Sequence, residues 1–131
     1  MDNTPIQATN SDKTHAPLAK RKLLGLIGLA VGARKAVLGS DAVFAAISSQ
    51  SAKAVFLATD AGGNTQKKIR DKCAFYHISL IERFERGELG KACGREHMVA
   101  VAVTDPGFAA KMAEYAGEYG GGDAFDETSS V

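Results

Sequence analysis

The sequence predicts an α/β fold, a three-layer α/β/α sandwich around a four-stranded mixed sheet. Three observations lead there. Apolar periodicity switches repeatedly between helical and strand spacing along the chain. Four short β-type runs alternate with helical stretches instead of following one another. The 131 residues, 45% hydrophobic and 24% charged, suffice to bury one core.

Leu18 to Gly32 reads as the first helix, with Leu24, Ile27 and Val31 at i, i+3 and i+7. Its Gly25, Gly28 and Gly32 leave room for a close neighbour. Ala36-Val37-Leu38 is a short strand, and Gly39-Ser40 opens a second helix with Ser40 as N-cap and Val43 and Ile47 inward. Ala54 to Ala58 is continuously apolar, as expected of a strand buried on both faces. Asp60 to Asn64 is a turn, and Asn64 caps a third helix with Ile69, Cys73 and Tyr76 on one side. Ile78 and Leu80 alternate with polar residues as a third strand. Glu88 to Cys93 forms a short helix closed by Gly94, and Val99 to Val103 is the fourth strand. Asp105-Pro106 then starts the last helix, an N-cap followed by Pro at the first position, with Phe108, Met112 and Tyr115 inward.

This leaves residues 17–117 as the folded domain. Residues 1–16, rich in Asn, Thr, Ser and Asp, read as a flexible arm, and 118–131, with Gly120-Gly121-Gly122 and then acids, as a flexible acidic tail. The net charge of +1 hides an asymmetry: −1 in the arm, −4 in the tail, and +6 in 17–117 from 15 Lys or Arg against nine Asp or Glu. A basic body of this kind suits a polyanionic partner.

Several classes are excluded. The longest apolar run, Leu23 to Val31, is nine residues long, and a spanning helix needs about 20. A polar N-terminus without a signal-peptide core points to a cytoplasmic protein. Cys73 and Cys93, 20 positions apart and outside any Cys-x-x-Cys pattern, read as free thiols, with neither a disulfide framework nor a zinc site. The glycines from Gly25 to Gly32 match neither the dinucleotide nor the Walker spacing and follow no strand, so they serve helix packing. Cys93 with His97 is a nearby thiol–imidazole pair, but it lacks an orienting third group and predicts no catalysis. His15 falls in the arm, His77 at a strand start, and Glu82, Glu85 and Glu88 read as a solvated edge. No metal, cofactor or small-molecule substrate is implied.

Two basic groups stand out from the solvated ones because they adjoin turns. Lys35 precedes Gly39-Ser40, whose helix N-terminus offers free N–H groups to a phosphate, and Lys91 and Arg95 flank Gly94. If both turns lie at one end of the sandwich, they make a basic groove edge. It suits a folded RNA better than duplex DNA, since no element resembles a major-groove recognition helix.

Leu89-Gly90-Lys91-Ala92-Cys93-Gly94, followed by a loop and Val99-Ala-Val-Ala-Val103, resembles the hallmark of the ribosomal L-seven-Ae family of kink-turn RNA-binding proteins. Leu24-Gly25-Leu26, Lys35, Gly39, Asn64-Thr65, Lys67-Lys68 and Ala102 to Ala109 are similar to its bacterial YlxQ-type branch, over about residues 20–116. The resemblance implies the sandwich fold, no catalysis, and ribosome-associated RNA binding through the second helix's N-terminus and the loop before the last strand. Carried over by position, it marks Lys35, Gly39, Ser40 and Asp41 on the helix side and Lys91, Arg95, Glu96 and His97 on the loop side. The expected partner is structured RNA, ribosomal RNA included, bound by a monomer away from any membrane.

One departure matters. Archaeal members carry Gly-x-Asn-Glu-x-x-Lys where this chain has Gly39-Ser40-Asp41-Ala42-Val43-Phe44-Ala45. An ionised Asp cannot donate to a guanine acceptor, and the alanines form no side-chain hydrogen bonds. The alternative is therefore a protein-interaction module on the same fold that has lost standard kink-turn recognition, with Phe125 of the acidic tail as an anchor.

Overall fold

The computed structural model describes residues 11–119, with side chains for 18–117, so most of the expected arm (1–16) and tail (118–131) lies outside the described residues. Helix α1 spans Ser11–Gly32, β1 Ala36–Leu38, α2 Ser40–Ser48, β2 Ala54–Leu57 and α3 Gly63–Tyr76. Strand β3 spans Ser79–Ile81, α4 Arg86–Ala92, β4 Ala100–Val103 and α5 Pro106–Tyr119. The strands form one sheet in the order β1-β4-β2-β3, antiparallel at β1/β4 and β4/β2 and parallel at β2/β3.

The sheet is the middle layer. Helices α2 and α3 pack on each other and on the strands, whereas α1 packs along α5 and α4. With helices on both faces, the central strands have no side to turn toward water. Every residue of β2 (Ala-Val-Phe-Leu) and of β4 (Ala-Val-Ala-Val) is buried, as their unbroken apolar character requires. From α1, Leu23, Ile27 and Ala30 descend onto this core, and Phe56 of β2 stacks on Phe84, ring centroids 6.3 Å apart.

Local signals resolve in four ways that differ from the sequence pattern. Helix α1 begins at Ser11, not Leu18, and runs through Pro17, which has no N–H to contribute to the ladder. The N-caps of α2 and α3 are Gly39 and Gly62, so Ser40 and Asn64 already lie inside their helices, and neither end carries a side-chain cap. In β3, the residue that points fully into the core is Ile81. Ile78, just ahead of the strand, and Leu80 are half-buried, and Ser79, on the same side as Ile81, is exposed, so this edge strand is only partly covered. Of the α1 glycines only Gly28 meets a close neighbour: a Cβ there would lie 3.0 Å from the Ala92 carbonyl of α4, whereas Gly25 and Gly32 face open space.

The last helix starts as its sequence requires. The Asp105 carboxylate accepts the Phe108 N–H at 2.9 Å, and Met112 is fully buried. His77 is the αL C-cap of α3 (φ 57°), an exposed helix end ahead of β3.

Truncating the ring at the centre of the sheet tests this core. Phe56→Ala is expected to cost about 3–5 kcal/mol, read as a lowered urea midpoint with the slope retained.

Candidate functional site

Antiparallel pairing of β4 with both β1 and β2 brings the C-terminal ends of β1 and β2 beside the N-terminal end of β4. Backbone hydrogen bonds fix the junction. The Gly39 N–H donates to the Ala100 carbonyl (2.9 Å), the Ala58 N–H to the Val99 carbonyl (2.8 Å), and the Met98 N–H to the Arg86 carbonyl (3.0 Å). The loop before β4 is thus pinned from Met98 onward, and the start of α2 hangs on the same strand end. Arg95, Glu96 and His97, all exposed, rise between Gly94 and that pin. Gly39, Ser40 and Asp41 share this end of the sheet with them, Asp41 exposed and Ser40 half-buried.

Gly39 takes φ 97°, a left-handed value that an L side chain resists. Its carbonyl accepts the Val43 N–H at 2.9 Å, which leaves the Ser40, Asp41 and Ala42 N–H groups without helical acceptors. These donors, with the positive end of the helix dipole behind them, form an anion-accepting surface. Helix α3 starts at the same end, because it follows β2, and it too has a glycine N-cap; the Gly62 carbonyl accepts the Gln66 N–H at 2.9 Å. This second uncapped helix start lies outside the expected site residues. The signal for it in the sequence is the glycine pair ahead of Asn64.

The loop owes its shape to two glycines. At the end of α4 the Arg95 N–H donates to the Gly90 carbonyl (2.7 Å) and the Gly94 N–H to the Lys91 carbonyl (3.2 Å), with Gly94 at φ 74°: a Schellman closure. Gly90 lies flat under the loop. A Cβ added there would sit 2.7 Å from the backbone of Glu96 and from the His97 Cα. This steric requirement, invisible to periodicity, accounts for glycine in the Leu89–Gly94 segment.

Two of the expected cations are placed elsewhere. Lys35 lies at the far end of β1: its carbonyl accepts the Thr104 N–H (2.8 Å), and its Nζ is 4.0 Å from Asp105 Oδ1. The four residue steps to Gly39 run along an extended strand, about 13 Å. The structure therefore does not bring Lys35 to the turn, because neighbours in an extended chain separate quickly in space. Lys91 lies at the rim, exposed on the last turn of α4, beside a groove of about 480 Å³ between α1 and α4 that is also lined by Arg21, Leu24, Gly28 and Glu88.

Of the acids expected to form a solvated edge, Glu85 is exposed, whereas Glu82 and Glu88 are half-buried and brace the frame. Glu82 makes a two-pronged contact with Arg70 (2.7 and 3.0 Å). Glu88 accepts the Glu85 N–H through Oε1 (3.0 Å) and pairs with Lys20 of α1 through Oε2. Burial pushes the Glu88 carboxyl up, but Lys20 and the Glu85 N–H outweigh it and hold the group below its ordinary range. Asp60 accepts the Arg86 N–H (2.9 Å), the chief reason its carboxyl also lies low, so the turn after β2 is tied to the start of α4. Both cysteines are free and buried: desolvation raises Cys73 to about 11, and it raises Cys93 against the opposing pull of Arg95. Neither thiol is poised as a nucleophile. Among the described residues no group of three His, Cys, Asp or Glu converges on a point where a metal ion would bind.

With this geometry in view, residues 21–113 match the model of the Ribosomal protein L7Ae/L30e/S12e/Gadd45 family. The chain belongs to that family. It is 47% identical over 87 residues to the RNA-binding protein YlxQ of Bacillus subtilis, covering 66% of this chain and 87% of that one. It is 38% identical over 95 residues to the RNA-binding protein YlxQ of Enterococcus faecium, covering 72% and 91%. A solved protein of unknown function from Bacillus halodurans superposes with a TM-score of 0.71 at 38% identity, covering 74% of this chain and 98% of that one. The Giardia lamblia 15.5 kD RNA binding protein shares the fold, with a TM-score of 0.64 at 16% identity, covering 78% and 88%. The resemblance carried by Leu89–Gly94 is thereby confirmed at the level of the family, and as a member of it the chain is not an enzyme.

Two outcomes test the frame. Gly90→Ala is expected to cost about 1–3 kcal/mol through overpacking and to shift the amide resonances of Arg95–His97 more than those of β2. For Glu88, a folded pKa below the unfolded one means its stabilisation is present above the unfolded value and fades as pH falls through the folded value. Glu88→Gln is therefore expected to lower the thermal midpoint at neutral pH, with the difference from the parent vanishing on acidification.

Proposed function

We propose that this protein binds structured, kink-turn-like RNA at the turn end of its sheet, as a non-catalytic, ribosome-associated cytoplasmic factor acting as a single copy. The observation that carries the reading is the meeting of the α2 start and the 95–97 loop at the beginning of β4, the first held by the Gly39 N–H on the Ala100 carbonyl and the second closed by the Met98 N–H on the Arg86 carbonyl. The names of the YlxQ relatives support RNA as the partner class.

In this arrangement the free N–H groups of Ser40, Asp41 and Ala42 meet phosphate or base acceptors at a strand bend. Arg95 supplies a planar donor fork, and Glu96 and His97 line the space into which one nucleotide is turned out. Lys91 adds charge at the rim. Lys35 carries no direct contact in this reading, since it faces Asp105 at the other end.

The Asp41 carboxylate accepts hydrogen bonds but gives none, and it stands exposed beside the α2 donors. It disfavours guanine acceptor edges and repels phosphate, so the preferred RNA presents amino groups there. Each well-made hydrogen bond to a base is worth about 1–3 kcal/mol, taking base readout in DNA as the guide.

Filter binding at about 50 mM salt, where phosphate contacts are strongest, tests the reading with a kink-turn duplex and its bulge-free control. Arg95→Ala and His97→Ala are each expected to weaken kink-turn binding about tenfold, corresponding to about 1.4 kcal/mol. Lys35→Ala leaves it unchanged, and Asp41→Asn strengthens it. Absence of binding by both the parent and Asp41→Asn overturns the reading in favour of the protein-interaction module.

A further inference from the structure

A second feature of the molecule points toward the same class of ligand but lies on a different face. Helices α2 and α3 begin at the same end of the sheet and run side by side, with Lys68 of α3 over the Phe44 ring of α2 (5.8 Å) and Lys72 donating to the Ser48 hydroxyl (3.0 Å). The seam they form starts at the candidate site and leads away from it along the protein surface. We propose that this seam, through Lys68, Lys72 and Phe75, is a second contact surface that receives a single-stranded RNA extension leaving the turn-end site. The inference rests on the RNA-binding reading above and deepens it.

Charge is the first argument. Other cations of α3 are engaged internally: Lys67 pairs with Asp71 (2.9 Å) and Arg70 with Glu82 (2.7 Å). Lys68 and Lys72 are held by a ring and a hydroxyl. Both partners are neutral, so they fix the side chains without cancelling their charge, and no carboxylate among the described residues pairs with either. The one exposed acid on the α2 side, Asp41, stands at the site end of the seam and not beside these lysines.

Geometry is the second. Asn64, Lys68, Lys72 and Phe75 recur at i, i+4, i+8 and i+11, one stripe of a helix, and Asn64 belongs to the uncapped first turn of α3 at the candidate site. The two ammonium groups are set about 6 Å apart along the axis, and the stripe runs about 16 Å in all. A single backbone can follow such a row, whereas a duplex would touch it at one point only.

Phe75 is the third. It is 74% exposed, the most exposed large apolar side chain among the described residues, and it contributes nothing to the core. Its ring is held edge-on against Tyr76, centroids 4.9 Å apart at 86°. An oriented, open ring at the end of a cationic track is a platform for an unpaired base, which sequence-tolerant single-strand binding uses together with backbone cations. A protein partner would need a contiguous apolar patch, and apart from Tyr76 the neighbours of Phe75 on the helix are Asp71, Lys72 and Ala74.

Fluorescence anisotropy with the full chain distinguishes the possibilities, using a kink-turn RNA and the same RNA carrying a short uridine extension at its 5′ or 3′ end. The parent is expected to bind one of the extended probes about tenfold tighter than the plain probe. The Lys68→Ala/Lys72→Ala double variant loses that gain and lowers the log–log salt slope by about 1.4, two single-strand phosphate contacts, with plain-probe affinity retained. Phe75→Ala loses part of the gain, Phe75→Tyr keeps it, and a photoreactive uridine in the extension crosslinks to the Phe75 peptide. Equal binding of plain and extended probes by the parent, or equal weakening of both by the lysine variant, overturns the seam and leaves the turn-end site standing. Failure of both the parent and Asp41→Asn to bind any of the probes overturns both readings together.

Discussion

The antiparallel insertion of β4 between β1 and β2 is the constraint on which the rest of the molecule depends. A strand running opposite to both neighbours receives their outgoing turns at its own beginning. The carbonyls of Val99 and Ala100 take the N–H groups of Ala58 and Gly39, one from each side. Three chain segments far apart in sequence meet there: the start of α2, the turn leading to α3, and the loop after α4. Had β4 paired parallel to them, its first residues would lie beside Lys35 and Lys53, and the loop carrying Arg95 and His97 would face the opposite pole.

Around that junction the fold assigns opposite tasks to its charges. Carboxylates tie elements together: Asp60 to the start of α4, Glu82 to α3, Glu88 to α1, Asp105 to the first turn of α5. Each such pair is solvent-accessible and contributes modestly to stability. An acid paired with a cation cancels that cation locally, so these pairs add little to the surface field and the unpaired groups set it. The excess of +6 over residues 17–117 is therefore carried by the cations outside these pairs.

How much of this the sequence reveals varies with the range of the interaction. Unbroken apolar runs at Ala54–Leu57 and Ala100–Val103 identify the central strands, since only burial on both faces permits them. The Asp105-Pro106 start and the Gly94 stop are local chemistry, and the structure keeps both. The glycine caps of α2 and α3 are obscured by the better cap formers Ser40 and Asn64 one and two residues on; propensity ranks residue types, but the strand ends decide where the helix starts. The position of Lys35 is beyond sequence adjacency altogether, because three residues of extended strand carry it to the far edge. Gly90 is visible as part of a motif, but its reason, a loop backbone where a Cβ would stand, exists only in three dimensions.

The two glycine-capped helix starts also explain why the site tolerates an acid in the first turn. A side-chain cap at Gly39 or Gly62 would satisfy one of the donors that the site leaves open, and would place its own oxygen where a ligand oxygen is to go. Glycine leaves those donors to an external acceptor, at the cost of a less stable helix end. Asp41, exposed in the first turn of α2, interacts favourably with the helix dipole. The carboxylate therefore stabilises the free protein and would oppose an anion brought to the same helix end. In the proposed complex such a group would raise the threshold for an anionic ligand and favour ligands that bring hydrogen-bond donors of their own.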